Sequence, residues 1–284
     1  MIGIVLAGGT GSRLFPSTVG FSKHFCPVFD KPLFYYPLSL LLLLGIREIV
    51  IVINKEDLNI FREKTKYLSK FGIQIKFAIQ YKSRGLPDAI LSAKKYIDKK
   101  KCCVVLGDNI FYGENFKEIM NEQTKVKGAS IFIYNTEYSQ EYAVAKIQKN
   151  KVVKIIEKPK NNFNKNVVTG LYFFDHDLIK FCKSIKPSKR GELEISDVLN
   201  LYIKKNKLSS FKLGRGFTWF DAGTPKRLSR ASSFIEQTEN FSGLKISCLE
   251  EIVLNNNWVS KSKLKKVITK YPVSDYKKYI IKIL

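Results

Sequence analysis

IGIVLAGGTGSRLFPSTVGFSK, residues 2–23, decides how the rest of the chain is read. Its first six residues form a continuous apolar run, the pattern of a strand buried on both faces of a parallel sheet. Glycines follow at 8, 9, 11 and 20, with Arg13 and Lys23 among them. A glycine-rich turn behind a buried strand lets backbone N–H groups approach a phosphate, because no Cβ intervenes. The loop is not a Walker A sequence, since no Gly-Lys-Ser/Thr follows the glycines. Nor is it the dinucleotide fingerprint: counted from Gly9, the third glycine would fall at position 14, which is Leu14. What remains, Gly8-Gly9-x-Gly11-x-Arg13 with Lys23 downstream, combines backbone donors and two cations in a way that suits a polyphosphate. An ordinary strand-to-helix turn with surface charges is the other reading.

Outward from this stretch, strand and helix patterns alternate to about residue 140. EIVIVIN (48–54), IQIKFAI (73–79), CCVVLG (102–107) and ASIFIYN (129–135) predict strands, and 32–44, 57–69, 85–97 and 114–126 predict helices. Apolar strands alternating with helices argue for an α/β fold whose mainly parallel, Rossmann-like sheet is flanked by helices. Such sheets bind ligands at the carboxyl ends of their strands, where the glycine loop and Asp108 both fall. Later, AVAKIQKNKVVKIIEKP (143–159) reads as two short strands around a Lys-Asn turn and 168–174 as another strand, a small antiparallel region. Residues 191–206 read as a helix, and 208–224 as a hairpin turning at Gly214-Arg215-Gly216. A helix over about 225–240 and a lysine-rich helical end complete the pattern. The expected division is a catalytic domain, 1–240, with a C-terminal helical extension, 241–284, packed on it.

Composition narrows the function classes. The chain has 284 residues, 45% of them hydrophobic, enough for a substantial core. Met1 leads straight into the first strand, and the leucine run 40–44 is far shorter than the roughly 20 residues that span a membrane. The expectation is a soluble cytoplasmic protein with no membrane partner. Cys26, Cys102, Cys103, Cys182 and Cys248 are odd in number and form no C-x-x-C, so reduced core thiols are expected. His24 and His176 are the only histidines, which gives histidine-based catalysis little support. The net charge of +24, from 49 Lys and Arg against 25 Asp and Glu, favours anionic partners. The charges are dispersed, so a solvated lysine surface is expected and a nucleic-acid partner is not.

Two acids stand where a carboxylate needs a partner: Asp108 in Val-Leu-Gly-Asp-Asn and Asp221 in Trp-Phe-Asp-Ala-Gly. Together they suit a Mg²⁺ bridging carboxylates to substrate phosphates, although each could instead cap a helix or close a turn. Glu157-Lys158-Pro159 offers Lys158 to a second phosphate, or is simply a solvated turn. Thr169-Gly170 inside a strand marks a close backbone approach.

Taken together, several stretches resemble the sugar nucleotidyltransferases, and among them the glucose-1-phosphate thymidylyltransferases most closely. They are Ile4 to Leu14 with Ser22-Lys23, Asp30-Lys31-Pro32 with Tyr35-Tyr36-Pro37, and Leu106 to Gly113. Glu157-Lys158-Pro159, Val168 to Tyr172, Lys186-Pro187-Ser188 with Arg190 to Ile195, and Gly214-Arg215-Gly216 ending in Trp219 to Thr224 continue the series. Gly243 to Cys248 with Glu250-Glu251-Ile252 extends it nearly to the end of the chain. The resemblance implies transfer of a nucleotidyl group from dTTP to glucose 1-phosphate, giving dTDP-glucose and pyrophosphate. It implies that Arg13, Lys23 and Lys158 are catalytic. Leu6, Gly8, Gly9, Thr10, Gly11, Gln80, Gly85 and Asp108 would bind the nucleotide. Asn109, Ala143, Glu157, Lys158 and Thr169 would face the sugar, and Asp108 and Asp221 would hold Mg²⁺. A homotetramer with an effector site at a subunit interface, serving nucleotide-sugar and polysaccharide synthesis, is also implied.

The chain departs from the family pattern at several places. Pro87-Asp88-Ala89 stands for the usual Ala-Gln-Ala, which removes a backbone donor and adds a charge near the expected base pocket. Ala143 replaces a glycine close to the sugar, Lys146 reverses a usual acid, and His24-Phe25-Cys26 follows Lys23. A different base, a modified sugar, or a catalytically weak nucleotide-sugar-binding protein are the alternatives these departures open.

Overall fold

The computed structural model describes residues 1–161 and 165–284. Its strands are β1 (Ile2–Ala7), β2 (Pro27–Val28), β3 (Lys31–Pro32), β4 (Glu48–Ile53), β5 (Gln74–Ile79), β6 (Cys102–Leu106) and β7 (Asn109–Gly113), followed by β8 (Ala129–Asn135), β9 (Ala143–Gln148), β10 (Lys151–Glu157), β11 (Asn166–Phe174), β12 (Leu208–Lys212) and β13 (Phe217–Asp221). Its α-helices are α1 (Tyr35–Leu43), α2 (Leu58–Thr65), α3 (Leu86–Ser92), α4 (Lys94–Ile97), α5 (Phe116–Thr124) and α6 (Leu178–Ser184), then α7 (Ile195–Lys204), α8 (Pro225–Ser242), α9 (Leu249–Asn255), α10 (Lys261–Ile268) and α11 (Asp275–Ile283).

The apolar runs read from the sequence form the parallel centre of the sheet, in the order β6-β1-β4-β5. β11 joins β6 antiparallel and carries β8 and β9 on its far side, and β10 and β12 lie outermost. Alternate residues feed two cores. Val5, Ile49, Ile51, Cys103 and Val105 point to one face, under α1 and the C-terminal helices. Ile4, Val50, Val52, Cys102 and Val104 point to the other, under α3, α6 and α7. Burial on both faces explains why these strands show no polar alternation in sequence. Leu249, Val253, Leu264 and Ile280 of α9, α10 and α11 belong to the first core, so the C-terminal segment shares its apolar interior with the sheet. All five cysteines are buried free thiols.

The turn between β9 and β10 has positive φ at both Lys149 (46°) and Asn150 (60°), the geometry that matches the twist of a tight hairpin. The hairpin expected over 208–224 does not form. β12 pairs parallel with β8 in the large sheet, while β13 pairs antiparallel with β7 in a separate two-stranded ribbon. β7 itself lies between a predicted strand and a predicted helix, in a stretch whose pattern predicts no element. The helix expected over 85–97 divides at Ala93, and 191–206 is helical only from Ile195 to Lys204.

Candidate active site

A cavity of about 530 Å³ opens at the carboxyl ends of β1, β5 and β6, a size usual for small-ligand sites. Leu6 and Gly8 enter from the end of β1, Gln80 from just beyond β5, and Leu106 and Asp108 from the end of β6.

The phosphate-facing part is assembled by strand pairing. In the β7–β13 ribbon Asp221 lies opposite Asn109, which brings it beside Asp108 although the two acids come from different halves of the chain. The turn is pinned where Ala222 N–H donates to the Asp108 carbonyl at 2.9 Å. Lys23 Nζ donates to Asp108 Oδ2 at 2.5 Å. Burial pushes the Asp108 carboxyl up, but the charge and hydrogen bond of Lys23 outweigh it and hold the group below the usual carboxylate range. Asp221 goes the other way: burial, then the like charge of Asp108, raises it against the pull of Arg13 and Arg227. Gly223 N–H and Arg227 Nη1 donate to the Asp221 carboxylate at 3.0 and 3.2 Å. Arg227 is aimed there by its place in the first turn of α8, whose start is set by the Thr224 N-cap and Pro225. Arg13 faces Asp221 closely: a methyl on Gly223 would lie 2.7 Å from Arg13 Nη2 and 2.8 Å from Asp221 Oδ1.

Two crowded acids fit a divalent cation, because a shared positive charge relieves the repulsion that raises Asp221. Among the described residues no third Asp, Glu, His or Cys completes a ligand cluster with them. That donor set matches Mg²⁺, which keeps waters and takes substrate phosphate oxygens beside one or two carboxylates.

At one end of the cavity, Gln80, Ser83, Gly85 and Leu86 form a wall. Gly85 has φ 99° and ψ 173°, a conformation nearly confined to glycine, and a Cβ there would lie 2.1 Å from the Leu193 carbonyl oxygen. Gly85→Ala is therefore expected to destabilise the fold by at least ~1–3 kcal/mol, read as a lowered thermal midpoint. Pro87 sits in the first turn of α3, where a backbone N–H has no intrahelical partner, so its missing donor costs the helix nothing. Asp88 is buried but does not line the cavity; it bonds to Gln80 and Arg84.

Ala143, Glu157, Lys158, Arg190, Glu192 and Glu194 also line the cavity, the last three on the loop that Leu193 ties to Arg84. Ala143 lies opposite Glu157 in the β9–β10 register. Burial, then the Glu194 charge, raises the Glu157 carboxyl, and its Oε2 is buried without a hydrogen-bond partner among the described residues. Arg190 lies 3.9 Å from Glu157, 3.1 Å from Glu192 and 3.6 Å from Glu194.

Not every expected residue faces this space. Thr10 and Gly11 lie outside the cavity wall, Thr10 exposed and Gly11 at a left-handed φ of 69° that turns the loop. Thr169 is fully buried and donates to the Phe132 carbonyl at 3.1 Å, while Val168 and Gly170 on either side of it line the cavity. Strand alternation sends Thr169 to the opposite face. Asn109 lines the cavity with its amide already engaged: it donates to Asp108 and accepts from Trp219 Nε1 and Gly170 N–H. It fixes Asp108 and ties β7, β11 and β13 together. Lys146 is exposed and away from the cavity. His24 is buried, with Nδ1 3.0 Å from Ser22 Oγ, and burial, helped by Lys23, lowers its pKa to about 3. It is therefore a neutral core group.

Glu141, Tyr142, Arg190, Glu192, Glu194, Trp219 and Arg227 were given no role from sequence. Arg190, Glu192, Glu194 and Trp219 lie in stretches that carried the resemblance, and Tyr142 heads the Tyr142 to Lys146 stretch compared with the family pattern, which was the available signal; Glu141 and Arg227 had none.

The family model of the nucleotidyl transferases matches residues 2–238. Over its whole length the chain is 42% identical to a glucose-1-phosphate thymidylyltransferase of Neisseria meningitidis and covers 99% of it. It is 38% identical to one from Mycolicibacterium smegmatis, again over the whole chain and 99% of the relative. A solved structure from Bacillus anthracis, described as a candidate glucose-1-phosphate thymidylyltransferase in complex with sucrose, matches with a TM-score of 0.76 at 33% identity. That match covers 82% of this chain and 95% of the other. A UDP-glucose pyrophosphorylase structure, 21% identical with a TM-score of 0.73 over 84% of this chain and 98% of that one, shares the fold. The chain therefore belongs to the nucleotidyl transferase family and, within it, to the glucose-1-phosphate thymidylyltransferases.

Proposed function

We propose that the chain transfers the thymidylyl group of dTTP to glucose 1-phosphate, giving dTDP-glucose and pyrophosphate. One observation carries the reading: Arg13, Lys23, Asp108 and Asp221 converge on a cavity that Gln80, Gly85, Glu157 and Lys158 also line. A phosphate oxygen of the sugar phosphate bonds to the α-phosphorus while the bond to the bridging oxygen of pyrophosphate breaks. Such a reaction depends on positioning and charge neutralisation more than on covalent participation by the protein. Arg13 and the backbone of the glycine loop hold the triphosphate. Lys158 and Arg190 neutralise the acceptor phosphate, so that two anions can approach. Asp108 and Asp221 would hold Mg²⁺, which supplies further neutralisation of the phosphates.

The unpartnered Glu157 Oε2 suits a sugar hydroxyl, which would donate to it. Glu157→Gln is expected to raise KM for glucose 1-phosphate by about ten- to a hundredfold, the value of a hydrogen bond to a charged group. KM for dTTP should stay near its wild-type value.

Assembly as a homotetramer is part of the same reading. Phe241, Leu244, Val273 and Ile281 in the C-terminal segment are exposed apolar side chains of the kind that subunit contacts cover. Sedimentation should then give about four times the 32.6 kDa chain mass. A cytoplasmic location suits the five free thiols. The test of the activity is pyrophosphate release with Mg²⁺ across dTTP, UTP, CTP, ATP and GTP, each with a panel of sugar 1-phosphates. The highest kcat/KM is expected for dTTP with glucose 1-phosphate. Turnover confined to another pair, or none at all, would overturn it.

A further inference from the structure

The orientation of the Gln80 amide is fixed by its neighbours. Its Nε2 donates to Asp88 Oδ2 at 3.1 Å and to the Gly85 carbonyl at 3.3 Å. A carboxylate and a backbone carbonyl can only accept, so the atom facing them must be the amide nitrogen, with both of its hydrogens engaged. Turning the amide over would set its oxygen against two other oxygens. Asp88 is itself held: Arg84 Nη2 donates to its Oδ1 at 2.9 Å, and it lies in the first turn of α3, where an acid is favoured. Oε1 is left on the side of the glycine loop, so close that a methyl on Gly8 would lie 2.8 Å from it. Among the described residues Oε1 accepts no hydrogen bond.

We propose that Asp88 is a positioning residue for base selection, locking Gln80 so that the cavity presents an acceptor to the base edge. The proposal rests on the thymidylyl-transfer reading and deepens it. Thymine and uracil carry an imide N3–H, which donates to Oε1. Cytosine carries a lone pair at N3, which opposes it. Glutamine alone would not make this distinction, because a free amide turns to offer either end. The acceptor-only carboxylate, itself held by Arg84, removes that freedom.

The test is the ratio of kcat/KM for dTTP over dCTP in wild type, Asp88→Asn, Gln80→Ala and the double variant. An asparagine can donate to Gln80, which lets the amide turn and offer Nε2 to the cavity. The ratio is expected to fall roughly tenfold or more in Asp88→Asn, as for a lost base-edge contact, through the KM values of the two triphosphates. Asp88→Glu keeps an acceptor-only group and should keep the wild-type ratio. In the Gln80→Ala background, Asp88→Asn should change the ratio no further. If Asp88→Asn does not fold, Asp88→Ser makes the same comparison. Equal losses with both triphosphates, or an undiminished effect of Asp88→Asn without Gln80, would make Asp88 a helix-stabilising residue and overturn the proposal. Absence of dTTP turnover in the wild type would overturn the proposed function itself, and with it this inference. Wild-type turnover with an unchanged ratio in Asp88→Asn overturns this inference alone.

Discussion

Arg13→Ala is expected to lower kcat for nucleotidyl transfer by about 10²–10³-fold, the cost of removing one preorganised donor from developing phosphate charge. Arg13 is exposed, follows the glycine loop and faces Asp221 across Gly223. None of the apolar cores includes it, so the thermal midpoint should stay within the narrow range typical of surface substitutions. Loss of rate without loss of stability separates a catalytic guanidinium from a structural one. Arg13→Lys keeps the charge but not the planar fork, and should recover only part of the rate. Pyrophosphate release under saturating substrates, paired with thermal denaturation, decides the matter. Wild-type kcat in Arg13→Ala would remove Arg13 from the reaction.

The contrast between Arg13 and Arg227 shows what could be read from the sequence and what could not. Arg13 belongs to a contiguous glycine loop behind a strand that advertises itself by six buried residues in a row. The parallel centre and the residues at its carboxyl ends were legible because strand, loop and ligand position are neighbours in the chain. Arg227, on α8 just past the three residues that follow β13, reaches Asp221 locally, but the pair comes beside Asp108 only because β13 pairs with β7. No local pattern carries that pairing, and the same blindness made 208–224 look like a hairpin. Turn residues between two apolar runs predict adjacency, but β12 had a better partner in β8 and β13 in β7. Thr169 was misplaced for a simpler reason: its motif was read as a block, whereas alternation in β11 gives the cavity only Val168, Gly170 and Tyr172. The wall of Arg190, Glu192 and Glu194 is set by Leu193 N–H bonding to the Arg84 carbonyl, a contact between loops far apart in sequence.

Asp108→Ala should produce the largest combined effect, because this carboxylate is both structural and functional. It holds Lys23 at 2.5 Å, with side-chain exposures of 12% for the lysine and 13% for the acid. Removing one partner leaves a largely buried ammonium unpaired, which costs about 3–5 kcal/mol in comparable ion pairs. Asn109 Nδ2 loses its acceptor as well. His24 cannot take over the lysine: an imidazole is neutral or cationic and supplies no negative charge, and its Nδ1 is engaged with Ser22 Oγ. Nucleotidyl transfer should fall by about 10³-fold or more in the same variant, since Asp221 is left as the single acid of the pair. The two effects come apart in a double variant. Lys23→Met with Asp108→Leu replaces both charges by apolar groups of similar reach, which is often close to neutral for stability. Its denaturation midpoint should return toward wild type while pyrophosphate release stays lost. A stable double variant that still turns over would deny both residues a part in the reaction. A double variant as unstable as Asp108→Ala would instead place the cost in the acceptor lost to Asn109 Nδ2 rather than in the ion pair.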